Sequence, residues 1–103
     1  MDTQLKKGIL EMCILFQLTK GDMYGYEIMK IIKEVFPDVY DGSIYTILRR
    51  LNSEGYTESY MMDLPSGGPQ RKYYRVTELG KVYFKNINKE WKQVVENVSK
   101  LGI

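Results

Sequence analysis

The sequence contains no histidine and only one cysteine, and these two shortages restrict the chemistry that the chain can carry out. Without histidine, the protein lacks the most common general base and the most common zinc ligand. The lone Cys13 cannot form an intrachain disulfide or anchor a metal ion, which fits a reducing cytosol. No basic neighbour in the sequence would lower its pKa, so we interpret it as a structural thiol rather than a redox sensor. We therefore expect a protein without metal, cofactor or enzymatic activity.

Long apolar runs are also missing, and the charge balance is nearly even. The N-terminus shows no charged start followed by a hydrophobic core and a cleavage site, so we expect a soluble, cytoplasmic protein. Its 103 residues, 44% of them hydrophobic, are enough for one domain with a modest core. The formal net charge is only +2, so a nucleic-acid-binding role has to be inferred from where the charges lie.

Three segments with helical apolar periodicity occupy the first half of the chain. The first spans 5–18 and ends before Gly21, and the second spans 24–36 and is stopped by Pro37. A short turn leads into the third, at 42–54, which completes a helix-turn-helix. The first helix is apolar nearly all round, so we expect it to be buried on more than one side, most easily by a second copy of the chain.

The third helix has an apolar stripe on one side, which leaves its polar side chains free for a partner. Asp41 or Ser43 can cap its start, and Gly55 can end it in a left-handed conformation. In a major groove, an arginine can bind a phosphate or donate two hydrogen bonds to guanine, and hydroxyl groups can add contacts. The candidate DNA-binding residues of this helix are Ser43, Tyr45, Thr46, Arg49 and Arg50. The sequence leaves open which arginine reads a base, and whether both are solvated or paired with Glu54.

Residues 56–76 change to a strand pattern. Two segments rich in β-favouring residues flank a glycine-rich stretch, which predicts a hairpin. The glycine pair at 67–68 is too short for a phosphate-binding loop and does not lie between a strand and a helix. Gln70, Arg71 and Lys72 follow these glycines, so they can reach phosphates or the minor groove. The alternative is an ordinary hairpin tip exposed to solvent.

A last helix is predicted at 78–101, with Thr77 as its cap. Its apolar residues alternate by three and four positions over about two and a half heptads, which predicts a seam for a partner helix. The residues of this predicted dimer interface are Phe84, Ile87, Trp91, Val94, Val98 and Leu101. The fold class that follows is mainly α with a small β-hairpin. We expect a winged helix-turn-helix at 1–77 and a C-terminal dimerisation helix at 78–103, packed on the same domain.

Several separated segments, in the right order, resemble the PadR family of transcriptional regulators. They are Met-Tyr-Gly-Tyr-Glu-Ile at 23–28, Gly-Ser-Ile-Tyr-Thr-Ile-Leu-Arg-Arg-Leu at 42–51, Glu-Gly-Tyr at 54–56 and Gly-Gly-Pro-Gln-Arg-Lys-Tyr-Tyr-Arg-Val-Thr-Glu-Leu-Gly at 67–80. The single C-terminal helix resembles the small subfamily that includes the lactococcal multidrug-binding repressor. The resemblance implies a homodimeric repressor that releases its operator when a small molecule binds. A dimer would present two helices to half-sites about one helical turn apart, which predicts a pseudo-palindromic operator.

The same resemblance implies a role for Trp91. In such relatives, a tryptophan on the terminal helix faces its dimer mate and holds flat aromatic ligands. A tryptophan in a heptad seam is also often only core, so both interpretations stand. The residues that would line a ligand cavity between the first and last helices are Trp91, Val95, Met12 and Phe16.

Two other classes of function are compatible with the sequence. The first is a protein-interaction module in which the basic wing is incidental, and salt-sensitive binding to promoter DNA would count against it. The second is a protein that sequesters small molecules and binds little DNA. Tryptophan fluorescence titration combined with a DNA shift assay would separate it from a repressor.

Overall fold

Residues 3–103, the part of the chain that the computed structural model describes, fold into four helices and three short strands, with side chains described from Leu5 onward. The helices are α1 (Thr3–Thr19), α2 (Gly25–Val35), α3 (Asp41–Ser53) and α4 (Glu78–Lys100), and the strands are β1 (Met23–Tyr24), β2 (Thr57–Met62) and β3 (Arg71–Val76). The predicted class, mainly α with a small β-hairpin, is confirmed. The predicted order of a winged helix-turn-helix followed by a long terminal helix is confirmed as well.

The hairpin is joined by a third strand that the sequence pattern does not predict. β2 and β3 pair antiparallel, with Glu58 opposite Arg75 and Tyr60 opposite Tyr73. β1 pairs with the other edge of β3, so the strand order is β1-β3-β2. A strand of two residues is too short to show an alternating pattern, and its pairing depends on where β3 lies in space.

The central helix of the core is α1, which contacts α2, α3, α4 and β3. The chain itself therefore buries this helix on several sides. Leu5 and Phe16 stay largely exposed on α1. The core consists of Leu10, Ile14, Leu15, Leu18, Ile28, Ile32, Val39, Ile44, Ile47, Leu48, Leu51, Tyr74 and Val76.

The start of α3 differs from the prediction. Asp41 is its first helical residue, and the preceding Tyr40 makes no side-chain capping hydrogen bond. The Asp41 carboxylate instead accepts a hydrogen bond from Lys33 Nζ at 2.6 Å, which ties the end of α2 to the start of α3. The prediction of Asp41 or Ser43 as a cap is therefore wrong, although an acid in the first turn still favours the helix through its dipole.

The end of α3 follows the prediction. Gly55 has a φ of +81°, the left-handed conformation that glycine adopts without a steric penalty. The backbone N–H of Tyr56 then donates to the carbonyl of Leu51 at 2.9 Å, as in a Schellman motif. This sharp stop turns the chain from α3 directly into β2.

The first turn of α4 rests on the end of α3. Thr77 Oγ1 accepts a hydrogen bond from the N–H of Gly80 at 3.0 Å, which confirms Thr77 as the cap, and donates to the carbonyl of Gly55 at 2.7 Å. A Cβ at Gly80 would lie only 2.0 Å from the carbonyl oxygen of Tyr56. Glycine is therefore required here, because the helix and the turn approach each other backbone to backbone.

Beyond Asn88, every residue of α4 is exposed. The helix has 23 residues and is about 34 Å long at 1.5 Å per residue. The chain measures 56 × 30 × 21 Å, and its radius of gyration is 15.1 Å, compared with about 13 Å for a compact domain of this size. The outer half of α4 therefore projects from the body of the domain. None of the helices described at residues 3–103 combines the length and apolar character needed to cross a membrane.

Candidate nucleic-acid interface

The apolar stripe of α3 is buried inside the chain. Its four members are each less than 5% exposed, and they are Ile44, Ile47, Leu48 and Leu51. On the opposite side, Ser43, Thr46 and Arg49 are exposed. Because the buried stripe holds the helix in place, the exposed side chains are available to another molecule.

Arg49 lies along the exposed side of α3. Its Nη2 donates to Thr46 Oγ1 at 3.2 Å, and that hydroxyl donates in turn to the carbonyl of Gly42 at 2.8 Å. Neither partner carries a formal charge, so the positive charge of Arg49 is not neutralised by these contacts. The guanidinium remains able to meet a phosphate or a base edge.

Arg50 points into the chain. Its guanidinium forms an ion pair with Glu11 of α1, a residue that is only 4% exposed. Successive residues of a helix point about 100° apart, so the two adjacent arginines leave α3 in different directions. The pairing with Glu54 that the sequence allowed is not seen. The structure therefore distinguishes the two candidates, because Arg49 is exposed whereas Arg50 is half-buried and paired with Glu11.

Tyr45 is half-buried and packs beside the sheet. A Cβ built on Gly25 would be 3.1 Å from Tyr45 Cε1 and 3.6 Å from Tyr74 Cε1, so the three residues are close neighbours. Burial raises the pKa of Tyr74, and the adjacent Tyr45 raises it further, whereas the charge of Arg49 lowers it. Tyr45 therefore helps to pack α3 against the sheet. Arg49 lies close enough to Tyr74 for its charge to act on that ring's hydroxyl group.

The wing residues occupy different sides of the sheet. Gln70 Nε2 donates to Asp63 Oδ1 at 2.6 Å, across the base of the glycine-rich loop. The guanidinium of Arg71 lies 4.4 Å from the ring centre of Tyr24, whereas Lys72 Nζ lies 5.6 Å from the ring centre of Tyr74. Because neighbouring residues of a strand point to opposite faces, Lys72 shares a side with Arg49 and Arg71 does not.

The outer face of the sheet carries a second cluster of charges that are already paired. Asp22 Oδ2 accepts hydrogen bonds from Tyr60 Oη at 2.7 Å and from Arg75 Nε at 3.2 Å. The hydrogen bond to the Asp22 carboxylate raises the pKa of Tyr60, and the negative charge of Asp22 raises that of Arg75. Arg75 is also 3.5 Å from Glu58. This arginine therefore serves the sheet rather than an external anion.

Two lysines that the sequence analysis did not single out lie beside α3. Lys6 and Lys7, in α1, line a cleft of about 680 Å³ together with Ser43, Thr46 and Arg49. Their adjacency along α1 was the only signal in the sequence, and the separation of about 40 positions from α3 concealed their relation to Arg49. We call Lys6, Lys7, Arg49 and Lys72 the cationic face.

The residues predicted for a ligand cavity lie on α1 and on α4. Met12 is half-buried, whereas Phe16, Trp91 and Val95 are exposed. The ring of Phe16 lies 5.7 Å from that of Phe84, so the first and last helices share an aromatic contact at this point. Within the chain, these residues form an open surface rather than an enclosed cavity.

The predicted dimer seam divides into two parts. Phe84 and Ile87 are partly buried and pack on the core of their own chain. Trp91 is 37% exposed and Val94 is 51% exposed, and Val98 and Leu101 are exposed as well. Among the described residues, the second part of the seam is therefore exposed and does not belong to the side chains that pack on the core.

No group of three or more histidine, cysteine, aspartate or glutamate side chains among residues 3–103 could hold a metal ion. Cys13 is half-buried beside the core, and burial raises the pKa of its thiol. The thiol is therefore less reactive than a free cysteine at neutral pH.

Comparison with known proteins gives one consistent result. Residues 14–86 match the transcriptional regulator PadR-like family. A crystal structure of a Streptococcus transcriptional regulator is similar over 99% of this chain and 100% of that chain, with a TM-score of 0.88 and 29% identity. A PadR-like transcriptional regulator from Bacillus cereus is 34% identical, with a TM-score of 0.83 and 95% of each chain covered. An uncharacterized protein of Lysinibacillus sphaericus is 37% identical over 93 residues, which cover 87% of this chain and 84% of that protein.

Proposed function

This chain belongs to the PadR-like family of transcriptional regulators, and on that premise we propose that it is a homodimeric repressor of transcription. PadR regulators have a winged-helix fold and bind DNA. In the proposed function, α3 enters the major groove of duplex DNA, the wing contacts the backbone beside it, and a small aromatic compound releases the complex. The protein would act in the cytoplasm, where it would meet chromosomal DNA.

The cationic face is the observation that carries the DNA-binding proposal. Lys6, Lys7 and Arg49 line one cleft beside α3, with Asp38 also on its wall, and Lys72 lies on the same side of the sheet as Arg49. Positive side chains that neutralise phosphates release condensed counterions, which favours binding. Within this surface, Arg49 is the residue proposed to read a base, because it is exposed and its charge is unpaired. Ser43 and Thr46 would add hydroxyl contacts.

Gln70 and Arg71 are kept as candidates for the proposed wing contact because both side chains are exposed. Gln70 would have to leave Asp63, and Arg71 would have to leave the ring of Tyr24, in order to reach a phosphate. Lys72 has no carboxylate partner among the described residues and is therefore the strongest wing candidate.

The dimer proposal is supported by the uncovered part of the α4 seam. Exposed apolar side chains at helical spacing on a projecting helix favour pairing with another helix, because burying them removes apolar surface from water. A second copy of the same helix provides a matching stripe. Such a dimer would place two α3 helices on one duplex and would require a pseudo-palindromic operator.

The effector proposal is supported by the position of Trp91 in this uncovered part of the seam. An indole ring that is partly exposed next to Val95 offers a flat apolar surface. In a dimer, the two copies of Trp91 could enclose a planar aromatic compound, with Met12 and Phe16 of α1 at the edge of the site. Binding there would release DNA if it changed the distance between the two copies of α3.

DNA binding can be tested by selection, which does not require a defined operator sequence. The full-length chain is used to select duplexes from a random-sequence library, and the affinity for a selected duplex is compared with that for a scrambled duplex at several salt concentrations. Affinity should fall as salt rises, with a logarithmic slope of about −0.9 for each phosphate contact. Arg49→Ala should weaken binding to the selected duplex by about 1–3 kcal/mol.

Two matched pairs of variants test whether DNA affinity depends on the cationic face or only on the total charge of the protein. Lys6→Gln combined with Lys7→Gln should reduce the magnitude of the slope by about 3.6, because the dimer carries each substitution twice. Lys85→Gln combined with Lys89→Gln removes the same charge from α4, and it should leave the slope nearly unchanged. Equal effects of the two pairs, or the absence of any enriched duplex, would count against the proposal. A tryptophan fluorescence change with an aromatic compound, without DNA binding, would favour the sequestering protein instead.

A further inference from the structure

Glu11 is a buried carboxylate that joins three helices. It lies in α1 and is 4% exposed. It forms an ion pair with Arg50 of α3, and its Oε2 accepts a hydrogen bond from Tyr83 Oη of α4 at 2.9 Å. The ring of Tyr83 stacks on Tyr56, at the α3–β2 junction, with ring centres 4.0 Å apart and planes at 5°. One network therefore connects the recognition helix to the terminal helix.

A buried carboxylate is costly to desolvate, so its partners have to be held in place. Arg50 supplies the opposite charge, and Tyr83 supplies a hydrogen bond to the second oxygen. Such a pair often gives little net stability compared with well-packed apolar residues, but it permits few alternative arrangements. A network of this kind therefore suits a position where the angle between helices matters.

The two arginines of α3 can be compared directly. Arg49 and Arg50 have the same charge and adjacent positions, but the structure gives them opposite surroundings. Arg49 contacts only neutral groups of its own helix, whereas Arg50 is bound to a carboxylate of α1. If Arg50 turned to DNA, the charge of Glu11 would be left buried without its counterion. The internal position is therefore the favoured one for Arg50.

We propose that Arg50, Glu11 and Tyr83 are positioning residues for DNA recognition, which hold α3 at a defined orientation to α4, and that Arg50 does not itself contact DNA. The proposal rests on the DNA-binding function proposed above. In a dimer built on α4, the orientation of α3 relative to α4 decides whether both recognition helices meet their half-sites. Loosening the network should therefore reduce discrimination between sequences more than it reduces general attraction to DNA.

Salt dependence distinguishes a positioning residue from a contact residue. A side chain that neutralises a phosphate contributes about 0.9 to the salt slope, whereas one that acts through the orientation of α3 contributes nothing to it. The central variant is Glu11→Gln, which keeps the size of the side chain and an acceptor for Tyr83 but removes the charge that holds Arg50. Tyr83→Phe removes only the hydrogen bond to Glu11. Lys72→Gln, at the strongest candidate for a phosphate contact, is the contact control.

We expect Glu11→Gln to weaken binding to the selected duplex by about tenfold, because α3 is no longer held in the orientation that fits both half-sites. Its affinity for the scrambled duplex and its salt slope should match those of the wild type. Tyr83→Phe should change the ratio of the two affinities in the same direction by a smaller factor. Lys72→Gln should instead reduce the magnitude of the slope by about 2, because the dimer loses one phosphate contact in each subunit.

A variant that folds without the ion pair shows whether lost discrimination comes from the missing network or from unfolding of the protein. Glu11→Leu combined with Arg50→Met replaces the pair by apolar side chains of similar size, an exchange that is often neutral or stabilising. It should retain its circular dichroism spectrum and thermal transition, lose discrimination between the two duplexes, and keep the wild-type slope. A reduction of the slope by about 2 in this variant, one contact for each subunit, would identify Arg50 as a phosphate contact and overturn the proposal.

The remaining outcomes are equally informative. Unchanged or tighter binding by Glu11→Gln would show that releasing Arg50 helps recognition, and would overturn the positioning role while leaving the proposed repressor function intact. Failure of the wild-type chain to bind any duplex in a salt-dependent manner would remove the proposed function, and the positioning role with it. Wild-type discrimination by the apolar double variant would show that the network serves stability alone.

Discussion

α3 and α4 are both amphipathic helices with apolar residues three and four positions apart, but their apolar stripes are buried to different extents. The stripe of α3 is buried against α1 and the sheet, and its polar side faces outward. The stripe of α4 is covered only as far as Ile87, and its outer half is exposed. The comparison suggests that α3 offers a polar surface to DNA, whereas α4 offers an apolar surface to another protein chain.

The largest difference between the two helices is expected in the free energy of unfolding when one apolar side chain of each stripe is shortened to alanine. Leu48→Ala in α3 should lower the free energy of unfolding by about 2–5 kcal/mol at every protein concentration, because it leaves a cavity in a closed core. Val98→Ala in α4 should have a smaller effect that fades on dilution. Urea unfolding at two protein concentrations measures both, and a large, concentration-independent loss for Val98→Ala would contradict the distinction.

A charge in the exposed half of the α4 seam tests whether a second chain covers it. Val94→Asp should convert dimers to monomers in sedimentation experiments, because an unpaired carboxylate in an apolar interface costs about 3–5 kcal/mol. The neighbouring Gln93→Asp adds the same charge at a polar position and should leave the dimer intact. A persistent Val94→Asp dimer would show that the interface lies elsewhere.

The inner half of α4 depends on a close backbone contact. Gly80→Ala should destabilise the fold by about 1–3 kcal/mol, because its Cβ would meet the carbonyl oxygen of Tyr56. Gly8→Ala is the matched control. A Cβ at that position meets no atom within 4 Å, so this helical substitution should stabilise α1 by up to about 1 kcal/mol. Thermal unfolding of the two variants should give shifts of opposite sign, and a neutral Gly80→Ala would refute the required contact.

The smallest expected effect concerns the effector. Trp91→Ala should weaken binding of a planar aromatic dye by about 1.5 kcal/mol, or roughly tenfold, because one aromatic contact is lost. Dye affinity can be followed by the fluorescence of the dye itself, which does not require a tryptophan. Trp91→Phe keeps a ring and should lose less. If Trp91→Ala binds the dye as well as the wild type does, the residue serves only the interface.

Much of the fold could be predicted from local patterns. The ends of the helices coincide with Pro37, Gly55 and Thr77, whose backbone preferences act without reference to the rest of the chain. The cap of α3 was harder to predict, because the Asp41 carboxylate can accept a hydrogen bond either from the backbone of its own helix or from Lys33 of α2. The sequence pattern contains no information on such competition between a local and a distant partner.

The candidate site was predictable only in part. Arg49 and Lys72 are exposed, as the predicted helix and wing require, but nothing in the sequence distinguished Arg49 from Arg50. The distinction depends on Glu11, which lies 39 positions away and meets Arg50 only because α1 crosses α3 in the core. Lys6 and Lys7 join the site for the same reason.

Local periodicity, caps and breakers therefore decided which segments became helices and strands, because these preferences act over a few neighbouring residues. The amphipathic character of α3 and α4 was contained in the sequence as well. Only the tertiary structure decided which stripe would be covered and which arginine would face outward. Burial and charge pairing depend on the surfaces that packing brings together, and residues far apart in the chain supply those surfaces.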